Sequence, residues 1–436
     1  MIIELKLKNW MSFRDETVFS LVASGEKRLL ARVPTISKTP VLHVSPVAVL
    51  YGGNAAGKTN LFSLFYFLRR LVLSPLNDEK KEIPLKQFSL FSENKNKITE
   101  IDLTFLASNK TIFLLHLVLS KQAVLEESLS IIKPTKVQLL YSRIEDCVTI
   151  KSTALRKNPK IIAFSQIVKQ NQLFLSLVAS EHDLLQKAKM WFSSSLNLIG
   201  TRSSYGGFGE FLAKPERLDF FAKLLHKFDT GICKLEIEDS SESALPPGVL
   251  EEIKEDLSED TMVNLNLGGS RFFVTKSDDS LTIKKLVSYH RNETGELIKF
   301  DLRNESEGTL RLIDVLPAFM NLENKNSDQV YIIDELDRSW HYLLSKQLIG
   351  TFLGTCSNNS RSQLIFSTHD LLLMDQDIFR KNEMFVVERN ADGVSSLYSL
   401  NNPCIRYDKD LRKMYLQGKL GGVPQLSHFG SLTVGS

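Results

Sequence analysis

The sequence predicts an α/β fold: a mixed sheet around a glycine-rich loop, with an antiparallel β subdomain and an inserted helical subdomain. Three observations carry that expectation. Val47–Tyr51 is a short apolar run, followed at once by Gly52-Gly53-Asn54-Ala55-Ala56-Gly57-Lys58-Thr59 and then by an apolar stretch at 60–70. That order reads as buried strand, turn and buried helix. Between 99 and 141 apolar runs recur at strand length. Between 163 and 198 the apolar spacing changes to mixed steps of three and four, the period of a helix.

Taken in order, Ile3, Leu5 and Leu7 alternate with Glu4, Lys6 and Lys8, which puts the apolar side chains on one face of a first strand. The same alternation lacks the continuous apolar core of a secretion signal. A turn around 9–16 leads to a second strand at 17–23. Residues 24–44, polar and punctuated by Pro34 and Pro40, read as a loop. The charged stretch 76–99 reads as exposed. Runs at Thr99–Leu106, 111–119, 125–132 and 138–141 suggest an antiparallel meander. Helices are expected across 163–198, 208–229 (Phe211, Leu212, Leu218, Phe221) and 247–257, without the sustained heptads of a coiled coil. Short strands return at 264–302, a helix is expected at 305–322, and strand and helix alternate beyond it. Residues 426–436 are small and polar and are expected to fray.

At 436 residues, 43% hydrophobic and 24% charged, the chain has room for two or three ordinary globular domains. A net charge of +3 is too small to argue for nucleic acid by itself. Cys147, Cys233, Cys356 and Cys404 are scattered, with no C-x-x-C pair, which points to reduced thiols rather than a disulfide frame or a zinc site. No stretch approaches the roughly 20 apolar residues of a transmembrane helix. A soluble, cytoplasmic protein is expected.

The chemistry concentrates in a few motifs. Gly52 to Thr59 fits G-x-x-x-x-G-K-[ST], in which glycines let backbone N–H groups close on phosphates. Lys58 supplies a charge for the β- and γ-phosphates, and Thr59 a hydroxyl for Mg²⁺. The following helix, opening with Asn60, points its N-terminus at the anion. Downstream, 329–333 is an apolar strand ending in Asp334 and Glu335. Asp334 is placed to join Thr59 at Mg²⁺, and Glu335 to polarise an attacking water. A second apolar strand, 362–367, ends in Thr368 and His369, where a histidine can hydrogen-bond the γ-phosphate or the lytic water. Ser306 or Thr309 is suited to cap the 305–322 helix, and Gly308 allows close backbone approach. A free helix N-terminus there can hold a γ-phosphate from above. Asp337 is a candidate N-cap for the helix after Glu335, or part of a turn at a subunit boundary.

These pieces, in this order, resemble the ABC-type ATPases of the SMC-like and OLD-like branch. Gly52–Thr59 resembles Walker A, and Glu305-Ser306-Glu307-Gly308-Thr309 the signature motif in E-S-x-G-T form. Asp334-Glu335 resembles Walker B with the catalytic glutamate, Leu336-Asp337-Arg338-Ser339 the D-loop, and His369 the switch histidine. Leu5 to Phe13 is similar to the branch's "strand, N-F-x-S-F" opening. More narrowly, Val124 to Leu129, Phe174-Leu175-Ser176-Leu177, Thr230-Gly231-Ile232 and Gly418 to Pro424 resemble the short AAA/ABC-type ATPases of bacterial phage-defence and abortive-infection loci. These are the RloA and AbiL type, related to the PARIS and Septu/retron ATPases. The chain departs from the transporter L-S-G-G-Q form, and only Gln87 and Gln138 stand as Q-loop candidates.

The resemblance implies an ABC-ATPase P-loop fold divided as 1–150, an N-terminal lobe; 151–262, a helical insert suited to a partner; and 263–436, a C-terminal lobe. It implies ATP and Mg²⁺ as cofactors. It also implies a homodimer or higher homo-oligomer, in which Ser306 and Gly308 of one copy close over nucleotide held by another. With no nuclease signature in the chain, a separate effector such as a nuclease or toxin is the expected partner. The alternative is an SMC-like ATPase of DNA repair or recombination, gripping DNA through Lys27-Arg28, Arg69-Arg70 and Lys80-Lys81. A scaffold that binds ATP without turnover is opposed by Glu335.

Overall fold

The computed structural model describes residues 1–76, 78–91, 97–107, 110–201, 215–257, 262–277, 280–401 and 409–422. The expected helical residues Phe211 and Leu212, Cys404, and the tail at 426–436 lie outside the described residues.

The chain opens with β1 (Ile2–Lys8), β2 (Thr17–Ser20), β3 (Thr35–Lys38), β4 (Val41–His43) and β5 (Val47–Tyr51), then α1 (Lys58–Leu73). The meander follows as β6 (Thr99–Leu106), β7 (Ile112–Leu119), β8 (Val124–Ile132), β9 (Val137–Ile144) and β10 (Cys147–Ile150). Helices α2 (Thr153–Arg156), α3 (Pro159–Ile167), α4 (Phe174–Val178) and α5 (Asp183–Met190) lead to β11 (Leu196–Ile199). Next come α6 (Pro215–Lys227), β12 (Lys234–Ser240), α7 (Pro247–Asp256), β13 (Met262–Leu267), β14 (Ser270–Ser277), β15 (Ser280–Arg291) and β16 (Leu297–Asp301). The chain ends with α8 (Glu307–Leu322), β17 (Val330–Ile333), α9 (Tyr342–Thr355), β18 (Gln363–Ser367), β19 (Met384–Arg389), β20 (Ser395–Ser399) and α10 (Leu411–Leu416).

The residues form two compact units. The first comprises Met1–Leu198, Lys325–Glu335 and Gly350–Ser436; the second comprises Ile199–Asn324 and Leu336–Ile349. This partition cuts the chain differently from three consecutive segments. Helices α2 to α5 belong with the first unit because their apolar side chains complete its core. Leu155, Ile161, Phe174 and Leu185 of these helices are buried in it, and just beyond α5 the rings of Trp191 and Phe192 lie 4.5 Å and 5.5 Å from that of Phe105 on β6. The buried carboxylate of Glu127 on β8 fastens α4 to the meander. It accepts from the N–H groups of Phe174 (2.7 Å) and Leu175 (2.9 Å) and from the Tyr141 hydroxyl (2.7 Å).

Two sheets build the first unit. One is antiparallel in the order β10-β9-β8-β7-β6-β1-β2; the other runs β11-β17-β18-β5-β19-β20. In the second sheet β17, β18, β5 and β19 are parallel neighbours, and β20 closes the edge as an antiparallel partner of β19. Every residue of β5, β17 and β18 is buried, as expected of parallel strands covered on both faces. Two local expectations are corrected. The 24–44 loop contains the β3–β4 hairpin. Residues 196–199, read as helix from the spacing of Leu196, are strand β11 beside β17. Arg28, a candidate DNA contact, is spent inside the unit, donating to the carbonyls of Gln376 and Phe379.

The second unit is built on an antiparallel sheet, β12-β15-β14-β13 with β16 added to β15. The buried Arg271 of β14 holds α8 to it, donating to the Asp314 carboxylate at 2.7 Å and 3.2 Å. Helices α6 and α7 give the expected helical content, with β12 lying between them and β13 following α7.

One buried side chain bridges the two sheets of the first unit. Gln363, at the start of β18, accepts from the Ile2 N–H (2.7 Å) and donates to the carbonyls of Ile2 (3.0 Å) and Ser45 (3.0 Å). Gln363→Leu keeps the volume and leaves three buried backbone groups without that partner. It is expected to cost about 3 kcal/mol or more of unfolding free energy in chemical denaturation. A loss below about 1 kcal/mol would show that the bridge is dispensable.

Candidate functional site

The glycine-rich loop leaves β5 at Tyr51 and enters α1 at Lys58. Two of its glycines sit where no side chain fits. Gly52 has φ +153°, and a Cβ there would lie 2.3 Å from the Val387 carbonyl oxygen. Gly57 has φ +119°, and its Cβ would lie 2.6 Å from Ser395 Oγ and 2.9 Å from Ser12 Oγ. The loop is therefore pressed between β19–β20 and the turn after β1. Ser395 donates to the Ala56 carbonyl at 2.6 Å, and its N–H donates to the Ser12 carbonyl at 2.7 Å. Asn60 donates to Ser12 Oγ at 2.7 Å, and its carbonyl accepts from the Trp10 indole at 2.8 Å. The opening segment around Trp10 and Ser12 thus buttresses the loop. Asn54 and Ala55 stand exposed at its tip, with Ala55 in the left-handed region at φ +59°.

Gly57 is the N-cap of α1 and offers no capping side chain, so the first turn of the helix presents N–H groups as an anion site does. Lys58 is buried, and its ammonium donates to the carbonyls of Gly52 (2.8 Å) and Gly53 (3.1 Å). A cleft of about 530 Å³ adjoins the loop through Ser12 and Asn60, with Lys86, Gln87, Lys121 and Arg389 on its walls. Gln138, the other glutamine singled out, lies on β9 opposite Ile131 in the antiparallel sheet.

The carboxylates arrive from the neighbouring strands. Asp334 and Glu335 follow β17; Ser367, Thr368 and His369 lie at the end of β18, which separates β17 from β5. The buried Asp334 accepts from Thr59 Oγ1 at 2.7 Å and from Ser367 Oγ at 2.6 Å. Ser367 Oγ in turn accepts the Glu335 N–H at 2.8 Å. Glu335 is at φ +48°, a strained conformation for a side-chain-bearing residue and one that concentrates at functional turns. Its Oε1 lies 3.5 Å from His369 Nε2, and both side chains are partly exposed. A hydroxyl and a carboxylate 2.7 Å apart form a hard oxygen pair that suits Mg²⁺, which keeps water and phosphate oxygens as its other ligands.

The Ser306 turn belongs to the second unit. Ser306 is exposed and caps α8, its Oγ accepting from the Thr309 N–H at 3.0 Å. What approaches Gly308 is the chain after Glu335: a Cβ on Gly308 would lie 2.5 Å from the Ser339 carbonyl oxygen. The Trp340 indole donates to the Gly308 carbonyl at 2.9 Å. The acidic Glu305 is turned to β15, where it meets Ser288 Oγ (2.6 Å) and His290 Nε2 (2.7 Å). Asp337 does not cap α9, which starts at Tyr342; its carbonyl accepts from the Trp340 N–H in a turn.

The structure thus gathers Gly52 to Asn60, Asp334, Glu335 and His369 in one unit, and Ser306, Gly308 and Ser339 in the other. Sequence reasoning missed Ser12, Ser367 and Ser395. Ser367 leaves a trace, a hydroxyl at the end of the apolar run Leu364-Ile365-Phe366.

Comparison with known proteins agrees with this geometry at the level of the family. A family model described as "AAA domain, putative AbiEii toxin, Type IV TA system" matches residues 47–375. No curated protein matches the chain. Among solved structures, the SmcHead bound to the C-winged helix domain of ScpA aligns at TM-score 0.39 and 12% identity, covering 91% of this chain and 97% of that one. The SMC head domain from Thermotoga maritima aligns at 0.36 and 12%, covering 91% and 98%. The recombination mediator RecF with ATP aligns at 0.36 and 15%, covering 91% and 97%. The family match extends from the first residue of β5 past His369, and the chain belongs to this AAA-domain family.

Proposed function

We propose that the chain is an ATP-binding and ATP-hydrolysing regulator that assembles with copies of itself and controls a separate effector. The observation that carries the enzymatic part is the hydrogen-bonded chain from Thr59 through Asp334 and Ser367 to Glu335, beside an uncapped helix N-terminus and a buried lysine. The backbone of Asn54 to Gly57 and the first turn of α1, with Asn60, hold the phosphates. Lys58 leaves the Gly52 and Gly53 carbonyls for the β- and γ-phosphates. Thr59 and Asp334 hold Mg²⁺, which when bound neutralises phosphate charge. Glu335 accepts a proton from the attacking water, and His369, 3.5 Å from it, aligns the water or contacts the γ-phosphate.

Turnover in this reading is completed by a second copy. Ser306 is exposed at the N-terminus of the 16-residue α8, where Oγ and the helix dipole suit a γ-phosphate offered by another subunit. Gly308 keeps the turn open while Ser339 packs on it, so the D-loop and signature turn move as one piece. The family's description, a putative toxin of a type IV toxin–antitoxin system, favours a defence role. The second unit, with its own antiparallel sheet and helices, is the surface we assign to an effector such as a nuclease or toxin.

ATP turnover and subunit mass test the reading. Lys58→Ala is expected to abolish detectable ATP binding. Glu335→Gln is expected to bind ATP, lose at least about a hundredfold in turnover, and accumulate as a closed dimer by light scattering. Unchanged turnover in Glu335→Gln removes its assigned role; turnover stimulated by DNA, with affinity falling steeply in salt, moves the chain to the DNA-repair alternative.

Ser367→Ala removes one donated and one accepted bond at the core of the site. It is expected to lower unfolding free energy by about 1–3 kcal/mol and to raise the Mg²⁺ concentration needed for half-maximal turnover. An unchanged Mg²⁺ requirement would show that Ser367 is not needed to position Asp334.

A further inference from the structure

The loop is tied to a segment far along the chain. The Gly53 N–H donates to the Gly422 carbonyl at 3.2 Å. The same peptide unit presents its own carbonyl, that of Gly52, to the Lys58 ammonium at 2.8 Å. One peptide plane is therefore held on one side by the C-terminal segment and on the other by the phosphate-binding lysine. A Gly–Gly peptide is the easiest in a chain to rotate, because neither flanking residue has a Cβ to obstruct it. The loop's most rotatable peptide is the one the distant segment grips.

The gripping segment is built for close approach. Helix α10 is capped by Asp410, which accepts from the Lys413 N–H at 3.1 Å, and it buries Leu411 and Tyr415. It ends at Gly418, at φ +71°, with the Lys419 N–H returning to the Met414 carbonyl at 3.0 Å. Gly421 and Gly422 then curl onto β19 and β20 at φ +63° and +70°. A Cβ on Gly421 would lie 2.0 Å from the Tyr398 hydroxyl; one on Gly422 would lie 2.5 Å from Val386 Cγ1. Only glycine fits at either place. The Tyr398 hydroxyl donates to the Leu420 carbonyl, and the Tyr415 hydroxyl donates to the Gly422 carbonyl at 2.7 Å. Gly422 thus receives two donors, Tyr415 and the loop's Gly53. Burial pushes the Tyr415 pKa up, so the hydroxyl keeps its proton at neutral pH.

We propose that residues 411–422 form an intramolecular latch on the phosphate loop, in which Tyr415 aims the Gly422 carbonyl and Gly422 holds the Gly52–Gly53 peptide toward Lys58. The latch rests on the ATP reading above and adds a control to it. Latched, the loop keeps one conformation with its N–H groups ready for phosphate. Unlatched, the Gly52–Gly53 peptide samples other orientations, and nucleotide binding must order it again. A partner that lifts the segment would lower nucleotide affinity without touching nucleotide. Tyr415 and Gly422 are positioning residues.

The test uses the full chain, a fluorescent ATP analogue for Kd, saturating ATP for kcat, and thermal unfolding without nucleotide. Tyr415→Phe removes one hydroxyl and keeps the ring; Gly422→Ala drives a methyl into Val386. Tyr415→Phe is expected to raise Kd about five- to tenfold, the worth of one buried hydrogen bond, with kcat within about twofold and Tm nearly unchanged. Gly422→Ala is expected to raise Kd further; should it fail to fold, Tyr415→Phe decides alone. Wild-type affinity in Tyr415→Phe overturns the latch. So does a Kd change matched by an equal loss of folded protein, which marks a merely structural contact. If the wild type itself binds no ATP analogue, the ATP reading has failed first, and the two failures are told apart.

Discussion

The arrangement of the site depends on one carboxylate with two hydroxyl donors. Asp334 takes Thr59 on one oxygen and Ser367 on the other, and so joins the start of α1 to the ends of β17 and β18. A buried carboxylate is costly unless its lone pairs are satisfied, so the three elements must meet with their termini level. That condition fixes where β17 ends, and with it the left-handed turn at Glu335. The strain at Glu335 is held by a short bond to Ser367, an oxygen already committed to Asp334. A residue held in this way has its backbone fixed while its side chain stays partly exposed, which suits the base proposed to meet water.

The parallel strands set this geometry because they are buried on both faces and cannot slide. A slip of one residue in β18 would turn Phe366 toward the site and Ser367 into the core. Gln363 pins the other end of the same strand to β1 and to Ser45. One end of β18 is thus held by backbone groups of the N-terminal segment and the other by Asp334. The register is specified twice, once for packing and once for chemistry.

What was legible in the sequence follows from how local each signal is. The loop, both carboxylates and His369 announce themselves because residue type and strand context lie within a few positions, and the structure brings those four together. The meander was legible from strand-length apolar runs. Strand β11 was not, since a four-residue run with three of its residues buried carries no period of its own; pairing with β17 decides it. The grouping of α2 to α5 with the first unit depends on the shared core that buries Leu155, Ile161, Phe174 and Leu185, which sequence spacing cannot show. The serines that brace the loop, Ser12 and Ser395, sit 383 positions apart and meet only through the fold. Gly308 was legible as a place of close backbone approach, and what comes close there is the Ser339 carbonyl. A glycine signals that something comes close but not what.

The resting place of Lys58 gives the loop its economy. A buried ammonium needs acceptors, and the Gly52 and Gly53 carbonyls that it meets belong to the loop proposed to hold phosphate. In the proposed reading, exchange of these neutral acceptors for phosphate oxygens would trade weaker hydrogen bonds for charge-assisted ones, which would favour entry of the anion at the lysine itself. The exchange leaves the Gly52 and Gly53 carbonyls without the cation that held them. The backbone would then be free to turn, except that the Gly53 N–H keeps its bond to Gly422 and Gly52 stays pressed against Val387. In the proposed latch, holding the peptide from the face opposite the lysine would let the ammonium move while the loop does not.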